Sequence, residues 1–340
     1  MITSSAQKLD TSAATDLKRP RYSFVIPIFR DAALARSFSE EFSKTFSAFI
    51  GLENWCDYVE LLFVCDGGSP DDFPIVEQLR ADFPFVRCLE LSRNFGQHIA
   101  ICCGYAHSRG AIVGMLNVDQ QDPPAELPLL IRYAEENDCD IVHGTCDLRY
   151  SGVTNRITSN LFNVLLNKLT GYDLPLNACT VRILKRPVIE VFNDLAERHR
   201  YIPGLEAWMG FRHAYVAIRT QPRSVGKSSY NLRRRMGLAL EAIISFSDTP
   251  LRIGVMIGAV LATGGLLMGL GLLIQKIWFR DLVPGYTSTV VLLVFFGGIQ
   301  LLFSGLMSLY IGRVLTEVQR RPLFIVRRSS TPSESREKKV

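Results

Sequence analysis

The chain is 340 residues long, 48% hydrophobic, and carries a formal charge of +5 from 38 lysines and arginines against 33 aspartates and glutamates. That length suits one large domain with an appendage, and basic residues gathered beside C-terminal apolar segments favour a membrane surface over a nucleic acid. The eight cysteines form no Cys-x-x-Cys pair, which argues against a zinc site and for buried free thiols in a reducing cytosol.

Residues 1–20 are polar and lack an apolar core, so the expectation is a disordered leader without a signal peptide. Tyr22–Phe29 reads as a buried strand ending in Pro-Ile-Phe-Arg-Asp, and a helix follows to about Phe49. Tyr58–Cys65 is a second strand, closed by Asp66-Gly67-Gly68-Ser69. Val86–Leu91 is a third, closed by Ser92-Arg93-Asn94-Phe95-Gly96. A helix over Ile99–Ser108 leads to a fourth strand, Ala111–Leu116. Glu126–Asn137 is helical and Asp140–Gly144 is a fifth strand. Strands alternating with helices predict an α/β fold with a mostly parallel, Rossmann-like sheet covered by helices on both faces. No Gly-x-Gly-x-x-Gly or Gly-Lys-Ser/Thr loop occurs, which argues against dehydrogenases and nucleotide-hydrolysing motors.

The fourth strand ends in oxygen donors: Asn117, Asp119, Gln121 and Asp122, before Pro123 and Pro124. Asp122 and the prolines are explained by a helix start. Asp119 and Gln121 are two residues apart, on one side of an extended segment. Oxygens at the carboxyl end of an apolar strand suit a hard divalent cation shared with phosphates.

Two uncharged segments, 253–274 and 286–311, are each long enough to cross a bilayer. Their outer flanks are basic, so the positive-inside rule predicts a multi-pass hairpin over 251–312 with both flanks cytoplasmic. Residues 231–250 read as a juxtamembrane amphipathic helix, and 313–340 as a cytoplasmic basic tail. Gly254-x-x-x-Gly258 and Gly265-x-x-x-Gly269 permit close packing within the hairpin or between subunits.

The ordered set IPIFRD (26–31), FVCDGGSPDD (63–72), LSRNFGQH (91–98), NVDQQDPPAE (117–126) and ERHRYIPGLEAWMGF (197–211), followed by PRSVGKSSYNLRR (222–234) and YIGRVLTEVQRRPLFIV (310–326), resembles the family-2 glycosyltransferases of GT-A fold. More narrowly it is similar to polyprenyl-phosphate transferases: the bactoprenol glucosyltransferases and undecaprenyl-phosphate formamido-arabinose transferases, relatives of dolichol-phosphate mannose synthase. The resemblance implies a glycosyltransferase domain over residues 21–230, cytoplasmic at a bacterial plasma membrane. It implies a nucleotide-sugar donor, an undecaprenyl phosphate acceptor, Mg2+ or Mn2+, and a homo-oligomer, a tetramer among the options. No nucleic-acid partner is expected.

By the same resemblance, Asp119 is the catalytic metal ligand, with Gln121 and Asn117 as further candidate ligands. Pro27, Phe29, Asp31, Asp66 and Arg93 hold the donor. Arg149, Arg156, Ser159, Arg200 and Arg223 are candidates for the acceptor phosphate, because guanidinium forks fit phosphate oxygens; Arg200 is also a candidate catalytic residue. Asp31 equally suits a helix N-cap, Pro27 a strand-end turn and Arg93 a solvated surface position. The chain departs from the family at Asn117, where aspartate is usual, at Cys65 before Asp66, at Lys227 and Ser229, and at Thr180, where many relatives have an aspartate. Cys65, Asn117 and Thr180 are the support for a rival reading, a weakened membrane scaffold or sugar-nucleotide sensor. His98, at a helix start, reads as structural, and the other histidines show no metal-ligand spacing.

Overall fold

The structure, a computed structural model, describes residues 19–119, 121, 123–145, 178–198, 200–219, 249–279 and 285–330. The strands are β1 (Tyr22–Ile28), β2 (Val59–Cys65), β3 (Val86–Leu91), β4 (Ile112–Met115), β5 (Ile141–Thr145), β6 (Ala178–Lys185), β7 (His213–Ala217) and β8 (Val326–Ser329). The helices are α1 (Ala35–Ile50), α2 (Asp72–Gln78), α3 (Gln97–His107), α4 (Leu127–Glu136), α5 (Arg186–Asp194), α6 (Ile202–Trp208), α7 (Thr249–Phe279) and α8 (Tyr286–Val318). All five strands expected from apolar runs are present within one residue of their expected ends.

The eight strands form one sheet in the order β7-β5-β6-β4-β1-β2-β3-β8. β3, β2, β1 and β4 run parallel, while β6 is antiparallel to both β4 and β5, and β8 is antiparallel to β3. The parallel strands are covered on both faces, which is why they read as predominantly apolar runs, interrupted by Glu60 in β2 and by Arg87 and Glu90 in β3. Phe24, Ile26 and Ile28 of β1 join one core layer with Phe38, Phe42 and Phe46 of α1. Val25 points the other way, into a layer with α3, α5 and α6. Phe42 stacks on Phe46 at 4.4 Å and meets Phe24 edge-on at 5.2 Å. Full burial of each such ring is worth about 1.5–3 kcal/mol before conformational entropy is charged against it. Gly104 lets α3 lie directly on β1, since a Cβ there would sit 2.1 Å from Val25 Cγ1.

Three expectations need correction. Residues 313–340 are not simply a tail: α8 continues to Val318, and β8 completes the sheet edge. Arg328 forks onto Glu90, with Nη2–Oε1 at 3.0 Å, and lies over the Phe73 ring. A tail and an edge strand have the same basic composition; pairing with β3 decides between them. The cysteines Cys56, Cys65, Cys88, Cys102, Cys103 and Cys139 are free, but Cys179 is disulfide-bonded. Spacing alone cannot reveal a pairing that tertiary folding brings about. Finally, Pro124–Glu126 is a 3-10 turn, so α4 starts only at Leu127.

Helices α7 and α8 extend 31 and 33 residues and cover both expected apolar segments. Among the described residues one stretch, Phe295–Val318, is long and apolar enough to cross a membrane. Gly254 packs within the hairpin, because a Cβ there would meet the Phe303 ring of α8 at 2.5 Å. The amphipathic helix expected at 231–250 lies outside the described residues except for the first two positions of α7.

Candidate active site

The parallel strands place their carboxyl ends at one edge. The chain passes from β1 to β2 and β3 on one side, and β4 lies on the other side of β1. A crevice opens where this order reverses. Its origin is visible in the ladder. Leu116 N–H donates to Val25 O at 3.2 Å, the last bond between β4 and β1, while Asp66 N–H donates to Ile28 O at 2.9 Å on the β2 side. Odd residues of β1 therefore face β4, and the next odd residue is Pro27, which has no N–H to offer. β1 and β2 stay paired through Ile28 and Cys65 while β4 peels away into Asn117 and Asp119.

Three loops meet beside this crevice. Gly67 has φ +61°, and a Cβ there would lie 2.5 Å from the Arg93 carbonyl carbon; a Cβ on Gly68 would lie 2.8 Å from Arg30 N. Arg30 itself sits at φ 66°, a conformation that costs a non-glycine residue and needs support. Asp72 supplies it: the buried carboxylate accepts from Arg30 N–H at 3.1 Å and Ser69 N–H at 2.9 Å. The Arg30 guanidinium reaches Gly68 O and lies 5.2 Å from the Phe29 ring centroid.

Asp66 is buried, and its two oxygens accept from Phe95 N–H at 2.7 Å and Gly96 N–H at 2.8 Å. Burial pushes this carboxyl above its ordinary pKa, partly offset by the two N–H donors. Asp66 therefore shapes the β3–α3 turn on which the crevice rests. Phe29 and Asp31 are exposed and Pro27 is half-buried; Asp31 makes no side-chain cap. Arg93 is exposed, its guanidinium 4.7 Å from the Phe95 ring.

Across the crevice, Asn117 Oδ1 accepts from Gln97 Nε2 at 2.9 Å, tying the end of β4 to the start of α3. Asp119 Oδ1 accepts from Gln121 N–H at 3.3 Å, and both residues are half-buried. No cluster of three or more His, Cys, Asp or Glu side chains suited to a metal exists among the described residues. One carboxylate with neighbouring amide oxygens still fits a hard cation that takes most of its ligands from a diphosphate and water.

Arg200 is engaged within its own segment. Its Nε donates to Glu197 O at 3.0 Å, Nη1 to Phe192 O at 3.2 Å, and Nη2 to Leu195 O. These carbonyls lie at and just past the end of α5, so the guanidinium caps that helix. Arg149, Arg156, Ser159 and Arg223 lie outside the described residues.

The structure adds a buried polar cluster that no motif announces. Arg182 of β6 donates to Glu206 Oε2 of α6 at 2.8 Å and to Thr180 O at 3.1 Å. Burial works against the Arg182 charge, and Glu206 and Tyr105 outweigh it, so its pKa rises; burial likewise pushes the Glu206 carboxyl up despite Arg182. His98 lies beside this cluster, 6.0 Å from the Tyr201 ring, with Nδ1 unpartnered. Burial first, and then Arg182, lower its pKa to about 4.

His143 and His213 stack at 5.4 Å with Nε2 and Nδ1 3.2 Å apart, the spacing of a hydrogen bond. Both are also held neutral, chiefly by burial. As the pH falls below about 6.5 the unfolded chain takes up protons at these histidines and the folded chain does not, so stability falls with pH. His98 alone accounts for about 3 kcal/mol by pH 4. Denaturant unfolding of the detergent-solubilised protein should therefore show a lower midpoint at pH 5 than at pH 7.5. His98→Phe should flatten part of that slope; a midpoint independent of pH would contradict it.

Comparison with known proteins bears on this crevice. The sequence profile of Glycosyl transferase family 2 matches residues 23–192, which span β1 to α5. A bactoprenol glucosyl transferase of prophage SfII in Shigella flexneri is 32% identical over 309 residues, covering 91% of this chain and 98% of that one. The chain belongs to glycosyl transferase family 2. A prophage bactoprenol glucosyl transferase homolog of Escherichia coli K12 is 31% identical, covering 91% of this chain and 99% of that one. An undecaprenyl-phosphate 4-deoxy-4-formamido-L-arabinose transferase of Shewanella sediminis is 31% identical, covering 89% and 91%. Among solved structures, a mannosyltransferase of Pyrobaculum calidifontis, in complex with GDP-Man and Mn2+, has a TM-score of 0.46 at 15% identity, covering 89% and 88%. This family-2 chain is a glycosyltransferase related to the bactoprenol glucosyltransferases, and its mixed, mostly parallel sheet is the α/β architecture expected from the alternating strands and helices.

Proposed function

We propose that this transferase moves a sugar from a nucleotide-sugar donor to a polyprenyl phosphate at the cytoplasmic face of a bacterial plasma membrane, for envelope glycan or lipopolysaccharide modification. The observation that carries the reading is the end-to-end match: the relatives named for bactoprenol are covered over 98–99% of their length, so the match takes in the C-terminal helices as well as the catalytic domain. The exposed side chains of those helices support it. Val255, Val260, Leu293 and Leu301 are each at least 70% exposed, a surface suited to lipid. A two-helix hairpin would keep both basic flanks cytoplasmic.

In this reading the donor lies in the β1–β4 crevice, with Phe29 offering a ring face to the nucleobase and Pro27 and Asp31 lining the same loop. Asp119, with Gln121 and Asn117, would hold Mg2+ or Mn2+, which neutralises charge gathering on the departing nucleoside diphosphate. A phosphate monoester has a second pKa of about 6, so the acceptor is already largely dianionic at neutral pH. It needs no general base, and Thr180 in place of an aspartate is no obstacle. Direct attack inverts the anomeric centre. Arg149, Arg156, Ser159 and Arg223 remain the candidates for the acceptor phosphate, Arg200 being committed to its cap.

The test is to incubate membranes containing the protein with a panel of nucleotide sugars and undecaprenyl phosphate, and to identify the lipid product by mass spectrometry. A glycosyl phospholipid of inverted configuration is expected. A panel that yields only free sugar, or no product at all, rejects the reading.

A further inference from the structure

The chain leaves its second long helix only to return to the sheet. In the last turn of α8, Glu317 accepts a hydrogen bond from the Arg198 backbone N–H at 2.7 Å. Arg198 belongs to the α5–α6 loop, whose Arg200 caps α5 and whose Tyr201 faces His98 at the start of α3. Past α8, Leu323, Phe324 and Val326 pack into the core layer beneath α3, with Phe324 5.9 Å from the His107 ring. β8 then clips onto β3. Ser92 N–H donates to Ile325 O, and Ser330 N–H to Cys88 O, each at 2.9 Å. Ser330 Oγ accepts from Cys88 N–H, and Arg80 reaches Ser330 O, both at 3.0 Å.

The end of α8 and the strand that follows it are thus held at two places: at the α5–α6 loop, whose Tyr201 faces His98 at the start of α3, and at the β3 edge. Resting on the acceptor reading above, we propose that this double clamp is a positioning device. It fixes the height and tilt of the crevice relative to the bilayer, so that the headgroup of a membrane-embedded acceptor meets the donor, and Glu317 is its positioning residue. Glu317 belongs to neither core layer, so the domain does not depend on it to fold. Reaction geometry is less forgiving, since a misplacement of about 1 Å can cost about a hundredfold in rate.

The clamp predicts a split between acceptors. In vesicles carrying the full-length protein, Glu317→Ala should lower kcat/KM for long-chain undecaprenyl phosphate about tenfold or more, while turnover of a short, water-soluble prenyl phosphate stays within about twofold. Glu317→Gln should restore the long-chain rate, because its carbonyl oxygen still accepts from Arg198 N–H. A short Gly-Ser insertion after Arg320, which loosens the link to β8 without touching Glu317, should give the same selective loss. Equal losses with both acceptors, no loss in either variant, or failure of Glu317→Gln to rescue would overturn the proposal. Wild-type protein that uses neither acceptor would instead overturn the acceptor reading on which it rests.

Discussion

Asp119→Asn is expected to lower transfer by about a hundredfold or more, with the unfolding midpoint essentially unchanged. Asp119 carries the only carboxylate among the described residues of the 117–121 segment, and it is half-buried at the mouth of the crevice. Asparagine keeps an oxygen for the Gln121 N–H but removes the charge, so the fold loses little. Substitutions of this kind away from the core stay within about 0.5 kcal/mol. The cation would lose its anionic protein ligand, so the loss should appear as a raised metal requirement. Titration of Mn2+ in the presence of donor should show weaker binding, and excess metal should return part of the activity. Asn117→Asp should do the reverse, since it adds a charge beside Asp119 and keeps the oxygen that Gln97 engages. Full turnover by Asp119→Asn, or wild-type turnover undiminished in excess chelator, rejects the assignment.

The second large effect concerns stability. Glu206→Ala should destabilise the catalytic domain by about 3–5 kcal/mol, because it leaves the Arg182 guanidinium buried without its counter-charge. Glu206 is fully buried and Arg182 is 7% exposed, so water cannot replace the lost partner. Replacing both residues with apolar side chains of similar volume should recover most of that loss. The cluster is also under-satisfied: Glu206 Oε1 and Tyr105 Oη are buried without partners. Tyr105→Phe, which removes one unpaired hydroxyl, should be neutral or stabilising by about 1 kcal/mol. A double-mutant cycle on Arg182 and Glu206, read by urea unfolding in detergent, measures the coupling. A coupling near zero would mean that apolar packing alone holds α6 to β6.

The strands β1 to β5 were legible because burial on both faces leaves runs dominated by apolar residues, a local signal. The loops after β1, β2, β3 and β4 were legible as well, since tight turns and oxygen-rich strand ends are written in consecutive residues. From these the sequence alone determined an α/β fold and a family-2 glycosyltransferase, and it pointed to Asp119, Gln121 and Asn117 as candidates at one sheet edge. It also marked two long apolar helices.

What it left open were pairings between distant residues. β6 enters the sheet antiparallel between β4 and β5, and β8 reaches β3 from the far side of both long helices, with Ser330 bonded to Cys88 across 242 positions. No period or propensity encodes such contacts. Asp66 reads as a donor ligand in its motif, yet its oxygens are taken by the Phe95 and Gly96 amides. Arg200 reads as a phosphate fork, yet it closes a helix on the carbonyls of Phe192, Leu195 and Glu197. A guanidinium is the same group in either role; the geometry of the acceptors around it decides which one it fills, and only the folded chain brings those acceptors together.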